Sequence, residues 1–187
     1  MMTVNISACP KGDRVLMKQL YEYTYPEERR LSFPMLETLS ESNDNITFDV
    51  LYDDDTPIGF MYLVRFDDIM HVMYFSVLKE YQNDPRVANE FHNLTLIYDN
   101  IIACTEEFII NNSQWQQPFL INNGFHKTGA TIIECRTELN VLSTLNGYVP
   151  DESIVKRKSS CLTNDLILKM TINKVFEPNL AKFYVRS

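Results

Sequence analysis

The sequence predicts a single domain of mixed α/β (α+β) class, built on a central sheet that is mostly antiparallel with one parallel pair. Three features point there. Apolar runs at residues 46–52, 57–66 and 69–78 are separated only by the acidic stretches Asp53-Asp54-Asp55 and Asp67-Asp68. Connections that short permit hairpins but no crossover. After the third run come a helical pattern and another short apolar run at 101–105, a strand–helix–strand unit that should close as a right-handed parallel connection. Finally, 187 residues with 45% hydrophobic and 12% aromatic content suit one domain with a substantial core.

Taken in order, Asp13 is placed to cap a helix reaching about Thr24, with Val15, Leu16, Leu20 and Tyr23 as its apolar side and Pro26 as its stop. Ser32 is the expected cap of a second helix. It carries Pro34 in its first turn, Met35, Leu36 and Leu39 inward, and residues 43–45 at its end. The three strands follow as a meander. Asp84-Pro85 then reads as an N-cap with proline at the first helical position, opening a helix of about four turns on Val87, Phe91, Leu94 and Tyr98. Residues 113–123 look helical up to Gly124, a natural left-handed C-terminal cap. Pro118 would cost about 3 kcal/mol in a helix interior, so that helix should start near Gln117 or kink. Residues 125–135 and 136–143 read as two more strands, and residues 164–176 fit either strand or helix.

Charge and cysteine usage exclude several functions. Against 17 Lys+Arg stand 25 Asp+Glu, a net charge of −8. Phosphate affinity needs basic neutralisation, so nucleic acid is not an expected partner, and the short Lys156-Arg157-Lys158 run reads as a solvated face. The longest nearly apolar stretch, 69–78, is far short of the roughly 20 residues of a membrane span, and the first twelve residues lack a signal-peptide pattern. A cytoplasmic protein without membrane contact is expected. Cys9, Cys104, Cys135 and Cys161 form no CxxC pair, and His71, His92 and His126 show no ligand spacing beside them, so no metal site is expected. Strand alternation groups His71 with Met73 and Phe75, as a core or sheet-face histidine. Only five glycines are present where about 13 would be average, which argues against a glycine-rich phosphate cradle.

Four local sequences, in this order and spacing, resemble the GNAT superfamily of N-acetyltransferases: Tyr25-Pro26-Glu27-Glu28-Arg29 before the second helix, Ile58-Gly59-Phe60, Tyr74-Phe75-Ser76-Val77, and Phe119-Leu120-Ile121-Asn122-Asn123-Gly124-Phe125. The resemblance is strongest over 14–143, with 144–187 as a C-terminal extension of the same domain. It implies helices on both faces of the sheet and a splayed parallel strand pair, formed here by residues 69–78 and 100–105. It also implies acetyl-CoA as co-substrate and a small-molecule or peptide amine as acceptor. On that reading Ser76 and Val77 contact the pantetheine arm, with Asn112 nearby, and Gln82, Asn83, Asp84, Arg86 and Val87 form the pyrophosphate loop. Trp115, Gln116 and Gln117 approach the same arm. Tyr25, Glu28, Arg29 and Tyr74 line the acceptor side, within a larger tyrosine group of Tyr21, Tyr23 and Tyr62 that serves equally well as core. Glu106 is the candidate proton acceptor.

The same comparison exposes departures. The family's phosphate loop has small residues where this chain has Pro85 and Val87; proline has no N–H to donate, and valine blocks close backbone approach. Asp84 puts a carboxylate where an anion should sit, leaving Lys79 and Arg86 to attract a diphosphate as point charges. Leu120 stands where many members carry the tyrosine that protonates the departing thiolate. Two functions therefore stand at this point: an acetyl-CoA-dependent N-acetyltransferase, or a GNAT-fold binding or regulatory module that has lost acetyl transfer. The apolar residues beyond 164 can complete the sheet, cover it or support a homodimer.

Overall fold

The computed structural model of the chain describes residues 1–27, 30–105, 115–134 and 137–150. In chain order the elements are β1 (Met2–Asn5), α1 (Lys11–Thr24), α2 (Phe33–Ser42), β2 (Ile46–Asp53), β3 (Thr56–Phe66), β4 (Ile69–Val77), α3 (Pro85–Thr95), β5 (Asn100–Thr105), α4 (Gln116–Asn122), β6 (His126–Glu134) and β7 (Thr137–Ser143). The described strands make one sheet in the order β1-β2-β3-β4-β5-β7-β6. Its pairings are antiparallel except β4 with β5. The acidic turns close the expected hairpins. Asp54 and Asp67 take φ of 51° and 52° there, a left-handed conformation that aspartate tolerates better than most residues.

Because successive strand residues face opposite ways, the sheet buries two cores. On one face α1 and α2 cover Phe48, Val50, Phe60, Tyr62 and Val64. On the other, α3 and α4 cover Leu51, Met61, Leu63, Val72 and Phe75. Helices thus lie on both faces.

Several local expectations shift. Helix α1 starts at Lys11 behind Pro10, and Asp13 lies in its first turn, where its carboxylate accepts a 2.7 Å hydrogen bond from Tyr52. The buried stripe of α1 is Met17, Leu20, Tyr21 and Thr24, an i, i+3, i+4, i+7 set, which leaves Val15 and Tyr23 exposed. Ser32 caps α2 through its main-chain carbonyl, which accepts from Met35 and Leu36. Helix α3 has 11 residues, about three turns. Helix α4 begins at Gln116, so Pro118 falls in the first turn, where no intrahelical N–H is required. Strand β1 lay outside the sequence expectations; four residues with little burial give no periodic signal.

Candidate functional site

Strand β4 pairs with β5 only from Ile69↔Asn100 to Val72↔Ala103. Beyond Val72, β4 continues five residues to Val77, while Cys104 and Thr105 of β5 pair with β7. The separation begins at a bulge. In the β3–β4 register Leu63 partners Val72 and Tyr62 partners Tyr74, so Met73 is the extra residue. A bulge bends its strand and interrupts pairing. It also reverses the alternation. Met73 and Tyr74 both pack toward the α1/α2 core, and Phe75 crosses to the α3/α4 core, so Phe75 does not share a face with Met73 as strict alternation predicted. His71 is buried at 2% exposure.

Within the opening, Phe75 turns its main chain away from β3. Its N–H donates to the Tyr25 hydroxyl at 2.9 Å, and that hydroxyl donates back to the Phe75 carbonyl at 2.9 Å. The Gln116 side-chain amide donates to the same carbonyl and, at 3.1 Å, to the Tyr25 hydroxyl. Next in α4, Gln117 accepts a 3.1 Å bond from the Thr105 hydroxyl on β5. Aromatic rings close the same place: Trp115 and Phe119 lie 5.0 and 5.5 Å from the Phe75 ring, and Tyr25 lies 4.9 Å from Tyr74.

This geometry moves the expected contact. Ser76 registers with Phe60, and alternation turns its main chain to β3; the Leu78 N–H bonded to the Ile58 carbonyl has the same sense. The Ser76 hydroxyl shares a 2.8 Å hydrogen bond with Thr24 of α1. Phe75 and Val77, rather than Ser76, therefore turn their main chains toward the opening. Tyr74 is core: it is 4% exposed, and its hydroxyl accepts from the Leu31 N–H at 3.4 Å. Tyr21 and Tyr62 are likewise buried, donating to the carbonyls of Leu31 and Leu36, and burial holds the Tyr21 hydroxyl well above its ordinary pKa. No tyrosine-lined acceptor pocket is formed by these three.

At the start of α3 the expected pyrophosphate loop is closed on itself. Asp84 caps the helix, its carboxylate accepting the Arg86 N–H at 2.8 Å, and its carbonyl accepts the Val87 N–H at 3.0 Å. Pro85 has no N–H, so the first three helical positions offer no donor to an anion. The Arg86 guanidinium is held between Asp84, at 2.7 Å, and Asp53 of β2, at 3.0 Å. Hydrogen bonds from Arg86 hold the Asp84 carboxyl below its ordinary pKa, and the two carboxylates raise that of Arg86. Arg86 is thus already paired with two carboxylates of this chain. Val87 is fully buried beside Phe91 in the second core. Gln82 ends the 3-10 turn Lys79–Tyr81, and Asn83 is exposed. Leu120 is also core, at 3% exposure. Glu28, Arg29, Glu106 and Asn112 lie outside the described residues.

The sequence reading missed Asp53, which it took only as a turn residue, and Phe75, whose orientation depends on the bulge. Among the described residues, the helix-terminal cradle that would take the diphosphate of acetyl-CoA is not free. An anionic diphosphate meets a carboxylate, a proline and a paired arginine, and the main chain for its amide arm is engaged at Phe75. Among the described residues no group of three or more His, Cys, Asp or Glu is placed to hold a metal ion, and no helix is long and apolar enough to cross a membrane.

No protein-family model and no curated protein sequence matches the chain. Solved structures do. A GNAT-family protein of Bacteroides thetaiotaomicron superposes with a TM-score of 0.60 at 16% identity, over 94% of this chain and 100% of that one. An aminoglycoside 6'-N-acetyltransferase complexed with coenzyme A gives 0.57 at 12% identity, over 81% of this chain and all of its own. A PaiA N-acetyltransferase from Thermoplasma acidophilum, also with coenzyme A, gives 0.56 at 15%, over 76% and 98%. With identities this low, what is shared is architecture: the chain has the fold of the GNAT acetyltransferases.

Proposed function

We propose that this chain is a GNAT-fold binding or regulatory module that has lost acetyl transfer from CoA. The observation that carries this reading is the start of α3, where Asp84 takes the anion position and pairs with Arg86. Such a terminus attracts phosphate through free N–H groups and the positive end of the helix dipole. Here the chain's own carboxylate uses both. Leu120, packed in the core, supports the same reading, because a leucine cannot return a proton to a thiolate. Calorimetric titration of the full chain with acetyl-CoA and with CoA tests it. The expected result is no heat and an unchanged melting temperature at millimolar ligand. Binding at micromolar affinity, about −8 kcal/mol, would overturn it.

One observation favours a second reading: the β4–β5 opening that characterises the fold is retained. On that reading the chain is an acetyl-CoA-dependent N-acetyltransferase acting on a small-molecule or peptide amine, with Glu106 as proton acceptor and a cofactor held without the helix-terminal cradle. Thiol release from acetyl-CoA across a panel of amines, lost in Glu106→Gln, would establish it.

A further inference from the structure

We propose that the apolar run at residues 166–176 docks within the same chain, on an exposed apolar patch formed by Leu96, Ile97, Leu145 and Val149 at the end of the sheet away from the β4–β5 opening. The inference holds whichever ligand the opening takes. Among the described residues the three most exposed large apolar side chains are Val149, Leu96 and Ile97, at 77%, 73% and 69%. Apolar residues exposed singly are ordinary, whereas a group of them marks a surface that another segment covers.

The fold brings the four together. Leu96 and Ile97 lie in the turn that ends α3, where the Leu96 N–H bonds to the His92 and Asn93 carbonyls and the Ile97 N–H to that of Leu94. Strand β5 starts shortly after, at Asn100. Beside it the Thr144 N–H donates to the Ile101 carbonyl at 2.9 Å, and the Ser143 hydroxyl donates to the Asn100 side chain at 2.8 Å. Leu145, half exposed, is thereby set next to the start of β5. Its carbonyl accepts from the Tyr148 N–H, and this turn keeps Val149 at the same end. The neighbours of these residues supply the packing: Leu94 and Tyr98 join the α3/α4 core, and Tyr148 joins the α1/α2 core. Leu96, Ile97, Leu145 and Val149 belong to neither core.

Position and pattern choose the occupant. The described residues stop at Pro150, beside the patch, and the apolar run begins at Leu166 after residues 151–165. It has an apolar side at either period. Leu166, Leu168, Met170 and Ile172 alternate as in a strand, and Leu168, Ile172, Val175 and Phe176 recur at i, i+4, i+7 and i+8 as in a helix. A random chain as long as 151–165 has an r.m.s. span of roughly 20 Å, which holds the run near the patch at an effective concentration in the millimolar range. A second copy or another protein must exceed that to compete. Docked there, the run lies at the start of β5 and leaves the opening, which begins beyond Ala103, uncovered.

The test uses the full chain with a photoreactive benzophenone side chain at position 97. After irradiation, mass spectrometry of the monomer band should find that position joined to a peptide within 166–176. Amide hydrogen exchange gives a second reading. In the wild type at low micromolar concentration, residues 166–176 should exchange at least about tenfold more slowly than an unstructured chain. Leu96→Gln/Ile97→Gln, which keeps side-chain length and adds no charge at the end of α3, should abolish that protection and leave the amides of β3 unchanged. If β3 exchange shows that this variant does not fold, the cross-link alone decides. A cross-link that never reaches 166–176, one found only between two copies, or equal protection of the run in the wild type and a folded variant would overturn the inference.

Discussion

From Ile69 to Val72, β4 presents its main chain to β5 in a parallel ladder, whereas at Phe75, three residues on, the same edge is satisfied by a tyrosine and a glutamine drawn from elsewhere in the chain. Main-chain pairing is generic: almost any residue can occupy such a ladder. Satisfaction by side chains is specific, since it depends on the identity of two residues and on the packing that aims them. The far half of β4 should therefore be the more sensitive to substitution, although both halves are buried.

The largest effect expected is from Phe75→Ala. Its ring is the meeting point of Phe91, Trp115 and Phe119, and removing a buried Phe costs about 3–5 kcal/mol. Urea denaturation should show this loss to exceed that of Val72→Ala in the β5-paired half. Equal losses would break the distinction between the halves. Next is Gly59→Ala. Gly59 registers with Val77, and a Cβ there would lie 2.5 Å from the Ser76 carbonyl oxygen and 2.9 Å from Val77 Cα. Main chain cannot yield cheaply, so a loss of about 1–3 kcal/mol is expected; a neutral substitution would mean that β4 is free to shift outward at this end.

The smallest effect concerns Asp84, beyond the end of β4. Its folded-state pKa is depressed by Arg86, so the stability it contributes is present above the ordinary aspartate range and lost as pH falls through the depressed value. Asp84→Asn keeps an acceptor for the Arg86 N–H but removes the charge. A fall in melting temperature of about 2 °C or less is expected at neutral pH. That difference should vanish on acidification below the depressed value, as Asp84 of the wild type becomes protonated. A difference that stays constant after Asp84 of the wild type has become protonated would mean that the charge has no part in the cap.

Much of the frame was legible because it is written locally. Asp54 and Asp67 announce hairpin turns, Asp84-Pro85 announces a helix start, and the dissonant Pro118 does place the beginning of α4 near Gln117. The departures at Pro85 and Leu120 could be seen by inspection. The closure of the opening could not. Tyr25 and Gln116 are 91 residues apart and Tyr25 and Phe75 are 50 apart, and only the tertiary fold brings them together. The extra residue at Met73 has no periodic signature, yet it decides that Phe75 turns toward α4. Asp53 was hidden in an acidic triplet whose turn-forming role was sufficient reason for its presence.

Adjacent residues Gln116 and Gln117 reach opposite walls of the opening, one to β4 and the other to Thr105 of β5. Neighbours on a helix differ by about 1.5 Å in rise and 100° in direction, so the pair works as a calliper whose span is set by helix geometry. Any widening of the gap must break one grip or turn the whole of α4, and the rotation of that short helix becomes a gauge of how far the two strands stand apart.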